Sequence, residues 1–583
     1  MRILGLSSFK HDTAAALLED GVVKAAIEND KLARARTQGL PDRAIHSCLE
    51  SVGAGWESIE LVAVAAKPLQ AWSRKSFLRA KLLASAPIVS AYHGVNEAGV
   101  LARELNDLRG LRRQAVGSHH KVIAFDHHLC HAASAFFLSP FERSLIVTMD
   151  EDGDGNSAML AIGEGNRIRV LRTIAFPHSL AWVYSQITEL VGFRPHLDEH
   201  KTQWLSLEGK PIFKDVFLKM LRGRSRATPR LDYSFFNRGL ASQLCLSDKF
   251  FRETGLPHNP KELSEDQRKA LASSIQTACA EVVSDLAQDL RRRTGIQEIC
   301  FAGGLFQNVL LVAALEKNLG TNQVFVPPAP GNAGTSLGAA YLAWHHTLQK
   351  PRTQTVSNAY LGPRFDRQAI KDILDNSKSR YVLPNTEERK LDAAARLLQA
   401  GKIVGWFQGA AEFGPRALGD RSVLASPWAP YVKENLNDFI KHREWFRPFA
   451  ISVPEEDAGR YFEISGQCRF MNSVGSVRDG SECLPESFLL PNGQVRLHVV
   501  EKSSNPLFWA LLKRFGEHAP APMLLNTSFN LFGEPLVVTP RDAMRSYFGS
   551  GLDALIIDKF ILSKSGIPTS APTWAADRVG LSA

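Results

Sequence analysis

Two histidines four residues apart, His127 and His131, stand in the stretch Asp126-His127-His128-Leu129-Cys130-His131-Ala132-Ala133-Ser134-Ala135. On a helix that spacing projects both rings from one face, where they can grip one ion. Asp150 follows in Thr148-Met149-Asp150-Glu151-Asp152-Gly153-Asp154-Gly155, at the predicted end of a strand, where a carboxylate points out of a sheet's carboxyl edge. Two imidazoles and one carboxylate with open positions are the ligand set of non-haem iron, and zinc or manganese can take the same site. The pattern by itself also allows histidines that cap and pack a buried helix, with the Asp/Gly run as a solvated turn.

A second set of residues is suited to anions. In Glu412-Phe413-Gly414-Pro415-Arg416-Ala417-Leu418-Gly419-Asp420-Arg421-Ser422 and Lys441-His442-Arg443-Glu444-Trp445-Phe446-Arg447-Pro448-Phe449-Ala450, four arginines and one lysine fall among Gly, Pro and aromatic residues. The planar guanidinium fork binds phosphate oxygens bidentately, where lysine acts as a point charge. A salt-bridge network with Glu412, Asp420 and Glu444 is the alternative. Asn526-Thr527-Ser528-Phe529-Asn530 offers amides and hydroxyls able to read a base or a ribose. Two Gly-rich turns, Ala302-Gly303-Gly304-Leu305-Phe306-Gln307-Asn308 and the run Pro330-Gly331-Asn332-Ala333-Gly334 up to Gly338, each follow a strand-like segment and precede a helix. That geometry lets backbone N–H groups approach phosphate, although neither turn matches a P-loop or a dinucleotide fingerprint, and such turns also serve structure alone.

The elements that must carry these residues are predicted to be α/β. Apolar runs at 14–18 and 22–27, separated by Glu19-Asp20-Gly21, predict a hairpin. Strand-like runs at 61–65, 122–125, 145–149 and 298–302 alternate with helical stretches such as 262–293. A polar Pro/Thr/Ser/Asn/Gly segment at 351–362 predicts a linker. Beyond it, helices at 366–374 and 392–398 and a strand at 403–407 begin a second domain ending near 570. No internal repeat or low-complexity tract is evident in the sequence.

The 583 residues carry 69 Lys+Arg against 60 Asp+Glu, a formal charge of +9 with 44% hydrophobic residues. So diluted an excess argues against a dedicated nucleic-acid surface. No run approaches the ~20 apolar residues of a membrane span, and the N-terminus passes directly into a strand-like segment, so a soluble, cytoplasmic protein without membrane association is expected. Seven scattered Cys without a Cys-x-x-Cys pair argue against a disulfide framework and a thiolate zinc site.

Taken in order, these motifs resemble the NodU/CmcH family of O-carbamoyltransferases over nearly the whole chain. The resemblance is carried by Ile3-Leu4-Gly5 with His11-Asp12, the His-rich stretch at 127–136, Thr148-x-Asp150, Gly192-Phe193, Glu199-x-Lys201 and Gly303-Gly304. It continues through Gly-Pro-Arg-Ala-Leu-Gly-x-Arg-Ser at 414–422, Arg443-Glu444-x-Phe446-Arg447-Pro448-Phe449-Ala450, and 526–530. It implies an actin-like, sugar-kinase-type domain over 1–348, a linker at 349–364, a YrdC-like α/β domain over 365–570 and a tail at 571–583.

In such enzymes the second domain makes carbamoyl adenylate and pyrophosphate from carbamoyl phosphate and ATP, the latter with Mg. The first domain passes the carbamoyl group to a hydroxyl of a natural product or glycan. The resemblance implies catalytic roles for His11, Asp12, Lys201, Arg416 and Arg447. It implies substrate contacts from Gly303, Gly304, Asn308, Arg416, Arg421, Lys441, Arg443, Arg447, Asn526 and Ser528, and a divalent metal, iron foremost, at His127, His131, Asp150 and Asn332. Family members commonly have Asp where this chain has Asn332, and Glu-Glu-Arg-Phe where it has Asn29-Asp30-Lys31-Leu32. The acceptor pocket is expected in the first domain or in the basic insertion at 66–113. A homodimer is allowed. Threonylcarbamoyl-type tRNA modification and a non-catalytic nucleotide-binding scaffold are the competing readings.

Overall fold

The computed structural model describes all residues except 9–10, 71, 74–75, 77–86, 117–120, 224–227, 238–244, 353–357, 480–483 and 569–583. The expected tail, part of the linker, and Arg74, Lys75, Arg79 and Lys81 of the basic insertion lie outside the described residues. The chain divides into one unit of Met1–Ala26 and Thr37–Val356 and another of Ile27–Arg36 and Ser357–Ala583.

The first unit contains two five-stranded sheets. One has the order β3-β2-β1-β4-β5, from β1 (Arg2–Ser7), β2 (Ala14–Glu19), β3 (Val22–Glu28), β4 (Leu61–Val64) and β5 (Lys121–Ala124). The other has the order β10-β9-β6-β7-β8, from β6 (Arg143–Gly153), β7 (Asn156–Glu164), β8 (Arg167–Ala175), β9 (Ile299–Ala302) and β10 (Val324–Phe325). In each, the first strand pairs antiparallel with the second and parallel with the fourth, and the fourth pairs parallel with the fifth. The two sheets thus repeat one topology, the duplicated α/β architecture of actin-like proteins and sugar kinases. The predicted β2–β3 turn forms with Asp20 and Gly21 both at positive φ, as a two-residue hairpin requires.

Helices fill the layers between the strands. Glu265–Thr294 starts with a Ser264/Gln267 capping box and ends at Gly295 in the left-handed conformation. Helix Gly334–Leu342 lies so close to helix His127–Leu138 that a Cβ on Gly338 would stand 1.8 Å from the Cys130 carbonyl oxygen. Only glycine admits that approach, which accounts for the last residue of the second Gly-rich run.

The second unit is built on one nine-stranded mixed sheet, order β14-β15-β16-β13-β17-β12-β11-β18-β19. Its strands are β11 (Val404–Phe407), β12 (Arg421–Ala425), β13 (Ala450–Pro454), β14 (Phe462–Glu463), β15 (Val474–Val477), β16 (Gln494–Val500), β17 (Leu524–Ser528), β18 (Ala554–Ile557) and β19 (Phe560–Ser563). Strand periodicity divides its apolar residues between two cores: Trp406, Leu424, Leu524 and Ile556 pack with helices Glu387–Gln399 and Pro506–Gly516, while Phe407, Val423, Leu525 and Leu555 face the opposite core. No helix among the described residues is long and apolar enough to cross a membrane.

Candidate functional site

In the first unit, helix His127–Leu138 begins immediately after β5, with Asp126 as N-cap accepting a hydrogen bond from the Leu129 N–H at 3.1 Å. Its first turn places His127 Nε2 and His131 Nε2 3.1 Å apart, and each lies 3.2 Å from Asp150 Oδ2. Asp150 does not end its strand, as the sequence suggested. β6 runs on to Gly153, and the pairing with β7 is irregular between Met149 and Gly153, which turns the carboxylate toward the histidines. Gly153 is required beside the site, because a Cβ there would stand 2.1 Å from His127 Cδ2.

Three ligand atoms at 3.1–3.2 Å spacings can share one first-row ion with bonds of about 2.1 Å. The electrostatics suit this. Burial alone would raise the Asp150 pKa, but hydrogen bonds from His127 and His131 take it well below the usual carboxylate range. Burial lowers the pKa of His131 and so favours the neutral, ligating imidazole. His128 faces elsewhere: its ring nitrogens meet Thr148 Oγ1 at 2.8 Å and the Asn156 carbonyl oxygen at 3.1 Å, and burial lowers its pKa to about 3.

A cavity of about 460 Å³ opens beside the triad, lined among others by Ser7, Ser8, His11, His127, Asp150 and Asn332. His11 Nδ1 stands 3.0 Å from Asp12 Oδ2, with Asp12 in the left-handed region. Asn332 is 7% exposed; its Nδ2 donates to the His11 carbonyl at 3.4 Å, and its Oδ1 has no hydrogen-bond partner. Replacing this amide oxygen by a carboxylate adds a negative charge to the cavity that His127 and Asp150 also line, so Asn332→Asp should tighten divalent-ion binding about tenfold or more, measured by titrating metal-stripped protein with iron, zinc and manganese.

Other expected residues are occupied in the fold. Gly303 (φ 105°) packs against β6, where a Cβ would lie 2.0 Å from the Met149 carbonyl oxygen, and a Cβ on Gly304 would lie 2.9 Å from Asp150 Oδ1. This turn therefore backs the strand that presents Asp150. Asn308 caps helix Val309–Leu319 and bonds Gln276. Lys201 pairs with Asp198 at 3.5 Å and lies over the Phe193 ring.

In the second unit the strand register brings distant loops together. β17 is antiparallel to both β12 and β13, with Ser422 opposite Ser528 and Ala450 opposite Asn526. The segments entering β12 and β13 and the segment leaving β17 therefore meet at one sheet edge. β16 runs parallel to β13, with Leu497 aligned on Ile451, so Arg496 comes to the same edge. Arg416, Arg443, Arg447 and Arg496 crowd one another there. Burial first, then Arg447, lowers Arg443 to about 9; burial lowers Arg416 to about 10; burial and the three other guanidiniums depress Arg496 much further. Burial, with Arg443 and Arg447, depresses Lys441, whose ammonium donates to Asn530 Oδ1 at 2.7 Å and also meets the Ser528 carbonyl oxygen. Glu444 pairs with Arg447 at 3.3 Å.

The alternative network is realised differently from the sequence expectation. Glu412 Oε1 accepts from the backbone N–H groups of Leu418, Asp420 and Arg421 at 2.8, 2.9 and 3.1 Å, fixing the loop's shape. Arg421 is fully buried, donates to the carbonyls of Gln408, Asp420 and Gly409, and lies 3.6 Å over the Phe407 ring. Asn526 donates to Ser452 Oγ at 3.0 Å while its Oδ1 has no partner.

Two family models match this chain: Carbamoyltransferase N-terminus over residues 2–341 and Carbamoyltransferase C-terminus over 395–564. The chain belongs to the carbamoyltransferase family. An uncharacterized protein of Synechocystis sp. is 33% identical to this carbamoyltransferase, covering 97% of each chain. Nodulation protein NolNO of Sinorhizobium fredii is 32% identical, covering 96% of this chain and 80% of its own. The 3'-hydroxymethylcephem-O-carbamoyltransferase of Amycolatopsis lactamdurans is 30% identical over 40% of this chain and 43% of its own.

Two features of this carbamoyltransferase escaped sequence reasoning. Arg496 stands alone in a strand, and only the parallel register of β16 and β13 signals its place. The other is Ile27–Arg36, which belongs to the second unit although it begins in the last two residues of β3 and is followed in the chain by the rest of the first unit. Lys31 Nζ donates to the carbonyls of Glu412 and Gly414, both at 2.7 Å, and pairs with Glu28 Oε2 at 2.9 Å; Glu28 Oε1 accepts from the Gly414 N–H at 2.7 Å. The pair clasps the loop that presents Arg416. Lys31→Met leaves Glu28 buried without its cation and should cost about 3–5 kcal/mol of second-unit stability, whereas Lys31→Arg should keep most of it; urea unfolding of the two variants checks this.

Proposed function

We propose that this carbamoyltransferase activates the carbamoyl group as an adenylate in its second, YrdC-like unit and delivers it to a hydroxyl of a natural product or glycan in the first. The observation that carries this reading is the convergence of Arg416, Arg443, Arg447, Arg496 and Lys441 at one sheet edge, where neighbouring guanidiniums disfavour the charges of Arg443, Arg496 and Lys441. So many cations, Lys441 buried and the arginines half-buried, are tolerable where polyanions neutralise them, and ATP with carbamoyl phosphate supplies such a load.

The chemistry balances as follows. Water cleaves the O–P bond of carbamoyl phosphate, giving carbamate and orthophosphate. A carbamate oxygen attacks the α-phosphorus of ATP, and pyrophosphate leaves. In the first unit an acceptor hydroxyl oxygen attacks the carbamoyl carbon, the bond to AMP breaks, and AMP departs. His11, beside Asp12 and on the cavity wall, is placed to take the hydroxyl proton.

His127, His131 and Asp150, with the Asn332 oxygen available on the same cavity, are the residues that would hold a divalent metal. Such an ion supplies Lewis-acid polarisation of a carbonyl or phosphate oxygen. The test is pyrophosphate release from ATP by the wild-type protein, which must depend on carbamoyl phosphate; release without it, or none with it, overturns the reading.

A further inference from the structure

The turn at 412–422 buries two carboxyl groups, Glu412 fully and Asp420 at 7% exposure, and among the described residues neither forms an ion pair. We infer that Asp420 is a positioning residue that works as a neutral carboxylic acid, holding its proton beside the Glu412 carboxylate so that the loop bearing Arg416 keeps its shape. The consequence for catalysis rests on the adenylate reading above, while the protonation itself does not.

Glu412 is built into the turn as an anion. Its Oε1 accepts from the three backbone N–H groups already named, and a carboxylate so bonded is held in its charged form. One of those N–H groups is that of Asp420, which brings the second carboxyl near the first charge. Asp420 has far less support: its Oδ1 accepts one hydrogen bond, from Asn505 Nδ2 at 2.9 Å. Asn505 is fixed in turn, because its Oδ1 caps helix Pro506–Gly516 by accepting from the Phe508 N–H at 3.0 Å. The other oxygen of Asp420, Oδ2, faces Gly409, where a Cβ would stand 2.4 Å away.

The charged and titratable groups around Asp420 are Glu412 in the same turn, Arg421 on β12, Arg364 before helix Arg367–Asn376, and the Tyr360 hydroxyl. Arg421 directs its N–H groups to the carbonyls of Gln408, Asp420, Gly409 and Pro363. Arg364 is exposed, and the Tyr360 hydroxyl donates to the Leu418 carbonyl at 2.7 Å. A second negative charge would therefore be buried against Glu412 without a cation bonded to it, and like charges sharing such a site resist ionising together. Burial first, then Glu412, raises the Asp420 carboxyl to about 8, with Arg421, the Asn505 bond and Arg364 offsetting part of the rise.

The unfolded chain releases this proton near the ordinary carboxyl value of about 3.9. Folding thus takes up a proton between there and about 8, so the stability of the turn falls as pH rises across that interval and is constant above it. Arg416 lies between Glu412 and the N–H groups that Glu412 binds. Ionisation of Asp420 strains those bonds and moves Arg416 from the cluster.

The test uses the full-length protein and Asp420→Asn, whose side chain has the same shape and is neutral at every pH. Hydrogen exchange of segment 412–425 is compared in the two proteins at equal pH, so that intrinsic exchange rates cancel. Protection should favour Asp420→Asn by a margin that grows up to about tenfold per pH unit between about pH 5 and 8 and then levels off. Pyrophosphate release by wild type should fall several-fold between about pH 7.5 and 9, while Asp420→Asn stays within about threefold of wild type near pH 6.5 and holds its rate near pH 9. The same pH dependence of exchange in both proteins would overturn the inference. So would an Asp420→Asn protein that is unfolded, or that loses release as fully near pH 6.5 as near pH 9. Wild-type protein that releases no pyrophosphate at any pH would remove the adenylate reading, and hydrogen exchange would still decide where the proton sits.

Discussion

Arg447→Ala abolishes pyrophosphate release from ATP plus carbamoyl phosphate, whereas His131→Ala leaves it within about threefold of wild type; this is the result expected when no acceptor is present. Arg447 sits in the guanidinium cluster, where its charge acts on Arg443, Arg496 and Lys441. Removing one positioned donor from a site that stabilises developing charge typically costs about 10²–10³ in rate. His131 is in the first unit, bonded within a triad that takes no part in adenylate formation under the proposed division of labour. The contrast is read by coupled pyrophosphate assay on both variants, with carbamoyl transfer to any accepted hydroxyl compound as the second measurement. His131→Ala should lose the transfer. Equal loss of pyrophosphate release in the two variants would sink the division of labour between the units.

The second large effect concerns the metal. Wild-type protein should carry about one divalent ion per chain, iron foremost, and His127→Ala/His131→Ala should carry less than about a tenth of that. Elemental analysis after dialysis against metal-free buffer gives the numbers. The double change removes two of the three candidate ligand atoms that lie 3.1–3.2 Å apart, and a lone Asp150 carboxylate is a weak site for a divalent ion. It also relieves Asp150 of the two hydrogen bonds that hold its pKa down, so the carboxyl moves upward under the burial that remains. A wild-type protein that transfers carbamoyl groups at full rate after complete metal removal would refute the assignment.

Much of this was legible in one dimension because it is local. The four-residue spacing of His127 and His131 lies within one helical turn, and the structure brings the rings together on helix His127–Leu138. The Asp20-Gly21 hairpin and the capped helix Glu265–Thr294 follow from turn and capping chemistry that acts over a few residues. The α/β class followed from alternating strand and helix patterns. The Arg-rich loops stood out because arginine among Gly, Pro and aromatic residues is a local signature.

What tertiary structure alone decided depends on strand pairing across long separations, which no local pattern encodes. The duplicated sheet order of the first unit left no trace as a sequence repeat, since topology constrains which strands pair and leaves the side chains free. Asp150 reaches the histidines from an irregular stretch of β6, and periodicity does not mark such a bulge. Arg496 joins the cluster only because β16 lies beside β13 in that register. Glu28 and Lys31 reach a loop some 380 positions away, with Lys31 and Glu412 separated by 381. Their backbone hydrogen bonds hold the Arg416 loop in place because a buried ion pair is stable only where its remaining donors and acceptors are satisfied.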